Sequence, residues 1–403
     1  MTECDTTAVA AWLIDGARSA AESPSVLDEL CERLTECGIP LWRAAVFVST
    51  LHPQLMGRSF IWRLGLGVEI REAPHEFSDA VEFRESPVRH VRVTRTAIRR
   101  RLTDADCPID FPMLRDLVAE GVTDYLAVPL EFTNGEIYAA TWTTREPGGF
   151  TDAQVAGIEA IAAPLARVAE VRALRRTATT LLNTYVGNNA GERILAGRIR
   201  RGDTEAIHAV IWLSDMRGFT RAADRLTPQT LIGLLNRYFD CQVPVIQEQG
   251  GEVLKFMGDG LLAIFRVAAD DSDLATVCGR ALAAARQARA NVAAVDATDM
   301  VGNTGRLRFG LALHVGEVLY GNIGGGSRLD FTCIGPAVNL AARLEKLAGS
   351  LGRTVVASDE FARHCAGELT PLGEFTLPGF AAPRQVFGLL DEAGLDGAAA
   401  PAG

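Results

Sequence analysis

The sequence predicts an α+β protein of two domains joined by a helical segment, on three observations. Its 403 residues exceed what a single hydrophobic core keeps growing to fill, so two domains are the default. Both halves alternate short apolar strands with amphipathic helices, and strands return through tight turns such as Asn134-Gly135, which favours an antiparallel-rich sheet. Between the halves, one helical pattern runs from Thr151-Asp152 to about Tyr185.

Taken in order, Ala8 to about Gly38 is helical in pattern, and the β-branched and aromatic stretches Trp42 to Thr50 and Ser59 to Leu64 read as strands. A less patterned stretch follows. A helix is expected over Phe111 to Glu120, a strand over Asp124 to Leu130, and a second strand over Ile137 to Thr144 after the Asn134-Gly135 turn. Thr151 is a suitable N-cap for the exit helix, which Pro164 alone interrupts. Small or apolar residues at 158, 161, 165, 168, 171, 174, 178, 181 and 185 recur by threes and fours. That spacing suits a paired signalling helix between domains, or an amphipathic helix packed on its own domain.

After the polar segment Gly187 to Glu205, the second half reads as a strand Ala206 to Ser214 and helices across Thr220 to Gln249. A hairpin of Glu252 to Met257 and Leu261 to Phe265 comes next, then a helix of about Asp271 to Val295. Strands Leu307 to Val315, Val318 to Ile323 and Asp330 to Ile334 precede a helix from Pro336 to Leu347. A strand Thr354 to Ala357 and a strand pair near Gly373 to Leu390 complete it, with an Ala/Gly/Pro-rich tail from Asp391.

The formal charge is −10 and the pI about 5.3, which leaves no electrostatic footprint for a nucleic-acid partner. Eight scattered cysteines form no CxxC pair or zinc-finger spacing and read as reduced core residues. No run approaches the roughly 18 apolar residues of a membrane span, and the N-terminus lacks signal-peptide regions. The expectation is a cytoplasmic protein with no membrane partner.

Two aspartates at turns carry the chemistry: Asp215 in Ser214-Asp215-Met216-Arg217-Gly218-Phe219-Thr220, and Asp259 in Gly258-Asp259-Gly260. A strand, a helical crossover and a second strand make a right-handed parallel unit, and the following hairpin can return a third strand into the gap between them. The hairpin tip then lies beside the end of the first strand, bringing the aspartates to within about 5 to 10 Å. Two hard oxygen ligands suit Mg²⁺ or Mn²⁺ when substrate phosphates supply the rest. Singly, either residue could merely shape a turn or cap a helix. The loop Met216 to Thr220 also offers backbone N–H groups at a helix start, suited to a phosphate.

Together with Phe331-Thr332-Cys333-Ile334-Gly335-Pro336-Ala337-Val338-Asn339-Leu340-Ala341-Ala342-Arg343, these motifs make residues 203–390 resemble the catalytic domain of class III nucleotidyl cyclases. The resemblance implies a ferredoxin-like, palm-type domain that cyclises a nucleoside triphosphate with release of pyrophosphate, using two Mg²⁺ or Mn²⁺ per site. It implies Asp215, the adjoining Met216 and Asp259 as the metal-holding residues, with Phe219 and Thr220 at the substrate. Arg343 would stabilise charge on the α-phosphoryl group and Asn339 would orient the ribose, four residues apart on one helical face. Lys255 and Thr332 would read the base, favouring ATP over GTP. The family divides these residues between two subunits, which implies a head-to-tail homodimer. Pro378 stands where a basic triphosphate contact is common, and Arg353 matches another such contact. His314 has no catalytic assignment and reads as a hydrogen-bonded structural histidine.

The first half resembles a GAF-like α/β sensory domain by layout alone, a PAS-like module being the alternative, with a small-molecule or ion effector that the sequence does not name. The expected division is thus 1–168 sensory, 169–202 helical linker, 203–390 catalytic and 391–403 tail. A guanylate cyclase and a catalytically silent nucleotide-binding regulator are the competing functions. A diguanylate cyclase lacks support because its Gly-Gly-Asp/Glu-Glu-Phe signature is absent.

Overall fold

A computed structural model describes residues 5–295, 307–326 and 328–392. The chain divides into two compact units, Met1–Leu181 and Leu182–Gly403, each taken by itself.

In the first unit, strands β1 (Arg43–Ser49), β2 (Leu55–Arg63), β3 (Gly67–Pro74), β4 (Ile98–Arg101), β5 (Asp124–Glu131) and β6 (Ile137–Thr144) form one sheet in the order β3-β2-β1-β6-β5-β4. Every pairing in it is antiparallel. Helices Thr7–Ile14 and Ser23–Glu36 pack a core of Leu13, Leu30 and Leu34 against Val46, Trp142 and the exit helix. Two strands, β3 and β4, fall in the stretch whose pattern gave no element. β4 is Ile98-Arg99-Arg100-Arg101, and its charges are met by tertiary partners: Arg99 pairs with the buried Asp124 at 2.8 Å and Arg100 with Asp110 at 2.6 Å.

The exit helix, Asp152–Val186, continues through Pro164. In its first half, Ile158, Ile161, Leu165 and Val168 are buried in the unit's own core. Further along, Val171 and Leu174 turn outward, 66% and 63% exposed. A cleft of about 770 Å³ borders this helix, its apolar floor including Phe60 and Leu165 and its rim Arg18, Arg58, Arg172 and Arg176.

In the second unit the short helix Asn188–Leu195 follows the exit helix, within the stretch 169–202 expected as a helical linker. Strands β7 (Thr204–Met216), β8 (Glu252–Met257), β9 (Gly260–Arg266), β10 (Phe309–Gly325), β11 (Arg328–Ile334), β12 (Val355–Ser358), β13 (Leu369–Phe375) and β14 (Arg384–Leu389) follow. Their order is β13-β14-β12-β10-β7-β9-β8, with β11 on β10, and only β10 with β12 is parallel. The fold is α+β with antiparallel-rich sheets. As the crossover argument required, β9 returns between β7 and β8. The two stretches expected as separate strands over Leu307 to Ile323 are one strand, β10. Gly316 does not break it; a Cβ there would come within 2.9 Å of the Ala337 Cβ, so the glycine admits the helix Pro336–Ser350 against the sheet.

Helices Pro228–Asp240 and Leu274–Ala294 cover one face over Trp212, Phe265 and Leu311, and Pro336–Ser350 contributes to two smaller clusters. Among the described residues no helix is long and apolar enough to cross a membrane, and seven cysteines are free thiols, five of them buried. Most of the expected tail, residues 393–403, lies outside the described residues.

Candidate active site

Strand pairing builds the acidic end of the site. β7 and β9 run antiparallel with Asp215 opposite Gly260, so Asp259, at the tip of the β8–β9 hairpin, is next to Asp215. Gly258 takes a left-handed φ of 67° to make the turn. Half-burial pushes the Asp215 carboxyl up to about 7, and the neighbouring charges of Asp259 and then Glu345 add to it, while Arg217 opposes. An anionic pair held against its own repulsion is a donor set that fits a hard divalent cation. Among the described residues no group of three or more His, Cys, Asp or Glu side chains is placed to hold a metal; the chain offers two carboxylates, and further oxygens would come from substrate and water.

Met216 is buried in the core opposite Phe309, so its side chain is packing. The segment beyond it turns at Gly218, φ 79°, into the short helix Phe219–Ala223. Phe219 packs against the core and Thr220 is exposed. The amide of Arg217 already donates to the Arg308 carbonyl at 2.8 Å, leaving fewer N–H groups at this turn than the sequence suggested.

The helix Pro336–Ser350 starts at Gly335 with Pro336 in its first turn, where a missing N–H costs nothing. Asn339 is exposed and Arg343 half-buried, and neither side chain has a hydrogen-bond or ion-pair partner among the described residues.

Lys255 lies on β8 just after a bulge and reaches Asp330 of β11 at 3.6 Å. That contact brings it to the strand of Thr332, whose buried hydroxyl has no hydrogen-bond partner. A buried hydroxyl without a partner is a group left for a ligand to satisfy. Cys333, next along the strand, joins the core with Tyr320 and Phe331, and burial pushes its thiol up to about 11. Arg353 donates to the main-chain carbonyl of Glu392 and is not free in this chain. At Pro378 the chain makes a tight turn, Phe380 N–H to Leu377 carbonyl at 3.0 Å. His314 is buried and bonded through Nδ1 to Ser358 Oγ at 2.8 Å, the structural histidine expected.

Sequence reading missed a buried ion pair beside the aspartates. Arg217 Nη2 lies 3.0 Å from Glu345 Oε1 and donates to the Glu345 carbonyl at 3.0 Å. The available signal was a carboxylate inside the apolar helical stripe Ala337, Leu340, Ala341, Leu344, Ala348.

Residues 204–385 match the family model described as the adenylate and guanylate cyclase catalytic domain. An adenylate cyclase of Anabaena cylindrica is 31% identical over 168 residues, 41% of this chain and 32% of that protein. Adenylate cyclase 1 of Rhizobium meliloti (strain 1021) is 30% identical over 163 residues, 40% of this chain and 24% of that protein. The chain thus spans a third or less of the length of these relatives. A solved bacterial light-regulated adenylyl cyclase is 23% identical with a TM-score of 0.46, over 56% of this chain and 64% of that one. The segment 204–385 belongs to the class III adenylate and guanylate cyclase catalytic domains.

Proposed function

We propose that the protein is an adenylate cyclase, converting ATP to 3′,5′-cyclic AMP and pyrophosphate in sites shared between two head-to-tail copies. One observation supports this reading: beside the aspartate pair, the exposed Asn339 and half-buried Arg343 have no side-chain partner among the described residues and are left for groups beyond the chain. A second copy would complete each half. The exposed apolar side chains of Phe256 and Ile334, 52% and 46% exposed beside Lys255 and Gly335, support such a covered face.

In that site Asp215 and Asp259 would hold two Mg²⁺ or Mn²⁺ ions, with Met216 contributing main-chain atoms only, given its buried side chain. The ions would supply a lowered pKa at the ribose 3′-hydroxyl and neutralise phosphate charge. Asn339 would orient the ribose for in-line attack on the α-phosphorus, and Arg343 would take up the charge developing there as pyrophosphate leaves. Lys255 would donate to an acceptor nitrogen of adenine, and Thr332 would accept from its exocyclic amine. Phe219 and Thr220 would border the phosphates, and Arg353 would reach them after releasing Glu392.

The first unit would act as a GAF-like sensory module for a small-molecule or ion effector, a reading supported by its antiparallel sheet, flanking helices and 770 Å³ cleft. A cytoplasmic location, without nucleic-acid or membrane partners, accords with the acidic composition.

Purified full-length protein, shown folded by circular dichroism, is incubated with ATP or GTP and Mn²⁺ or Mg²⁺, and products are identified by mass spectrometry. Cyclic AMP formed at the higher kcat/KM is the expected result. Preference for GTP replaces adenylate by guanylate cyclase, and turnover of neither leaves a silent nucleotide-binding regulator.

A further inference from the structure

Arg217 does more than neutralise a neighbour. Asp215 and Arg217 are two residues apart, and the ladder extends past β7 through the Arg217 amide to Arg308, so both side chains leave the same face. The guanidinium then passes through a slot cleared by two glycines: a Cβ at Gly310 would stand 1.8 Å from Arg217 Nη2, and one at Gly349 would stand 3.0 Å from Nη1. At its end Nη2 donates to the Glu345 carbonyl at 3.0 Å and lies 3.0 Å from Oε1, an ion-pair contact without hydrogen-bond geometry. Glu345 is 6% exposed, and a carboxylate so buried persists only with a partner.

The helix that Arg217 grips is the one bearing Asn339 and Arg343. At about 100° per residue, Asn339 and Arg343 lie about 40° apart, while Glu345 is about 200° from Arg343. One face turns outward and the other is clamped to the Asp215 turn. We propose that Arg217 and Glu345 are a positioning pair that fixes the Asp215 turn to this helix, holding residues destined for two different composite sites in one rigid piece. The proposal rests on the shared-site reading above, but its metal-binding arm needs only Asp215 and Asp259.

A positioning role predicts effects that charge alone does not. Removing the cation leaves the turn more negative, which by electrostatics would tighten divalent binding; loss of position weakens it. Full-length Arg217→Met, Arg217→Lys, Glu345→Gln and the Arg217→Met/Glu345→Gln double variant are compared. Mn²⁺ affinity is measured by calorimetry without nucleotide, and kcat and KM for ATP by steady-state kinetics. Arg217→Met and Glu345→Gln should each weaken Mn²⁺ binding and lower kcat by roughly tenfold, with the KM for ATP within about twofold, and the double variant should be no worse than the worse single one, as for residues acting as a unit. Arg217→Lys, which keeps the charge without the planar guanidinium that fills the slot, should fall between.

Tighter Mn²⁺ binding in Arg217→Met overturns the proposal in favour of electrostatic tuning. A lowered Tm with Mn²⁺ affinity and kcat unchanged overturns it in favour of a purely structural pair. If Arg217→Met does not fold, Arg217→Lys and Glu345→Gln decide by the same readouts. Absence of nucleotide turnover in the wild type defeats the cyclase reading instead, and the Mn²⁺ titrations still judge the pair.

Discussion

Asp215 and Asp259 meet across the β7–β9 edge, and the charge of Asp259 helps to hold the Asp215 carboxyl near 7. The folded metal-free protein therefore keeps a proton that the unfolded chain gives up around 3.8. This contribution is full below 3.8 and is lost as pH rises to 7. Metal-free protein should lose stability across that interval relative to Asp259→Asn, and saturating Mn²⁺ at pH 7.5 should restore it; at a hundred times Kd the gain is about 2.7 kcal/mol. Thermal melts with and without Mn²⁺ across this pH range make the comparison. A wild-type Tm unmoved by Mn²⁺ would remove the metal assignment.

Shared sites predict complementation. Asp259→Ala and Arg343→Ala should each be inactive alone, while mixed dimers hold one intact site. Co-refolded in equal amounts, they should recover about a quarter of wild-type activity, since half the dimers are mixed and one site in two is whole. Activity that stays at the level of the single variants would place all the residues in one chain's site.

The unpartnered hydroxyl of Thr332 separates binding from stability. Thr332→Val should leave Tm within about 2 °C, because no internal hydrogen bond is lost. It should lower kcat/KM for ATP by roughly tenfold, as expected for one lost hydrogen bond to a base. Lys255→Glu with Thr332→Cys should move the preference toward GTP. A variant as selective as the wild type would take base reading away from this strand.

His314 gives a second pH window of opposite sign. Burial holds the imidazole down to about 4, against an ordinary 6.5. Stability from keeping it neutral is complete above 6.5 and is lost as pH falls to 4, where the unfolded chain takes the proton first. The stability advantage of wild type over His314→Asn should shrink on acidification by up to about 3 kcal/mol. Taking the difference cancels the Asp215 contribution common to both. A difference constant from pH 7 to 4 would count against a neutral buried imidazole.

The parts of the site that lie on punctuation were legible. Asp215 and Asp259 stand at strand ends beside glycines, and Asn339 and Arg343 follow a glycine–proline helix start, so local chemistry marks them. Arg217 and Glu345 are 128 residues apart and meet only through space cleared at Gly310, which no local pattern reports. Likewise β4 reads as a charge run because its partners, Asp110 and Asp124, come from elsewhere in the chain. Gly316 looked like a break because the helix it admits begins twenty residues later, at Pro336. The exit helix was legible in extent, yet its periodicity could not say where its neighbours change from core to solvent, which happens between Val168 and Val171.

The two faces of the helix Pro336–Ser350 bear on how such a chain could diverge after gene duplication. On the shared-site reading, one copy could lose the aspartates and the other the outward Asn339 and Arg343, and the pair would still retain one working centre. The inward clamp has no such freedom, since each copy needs its own Arg217 and Glu345 to hold whichever half it keeps. Decay of the outward residues with retention of the clamp would be the mark of a copy that survives as a partner.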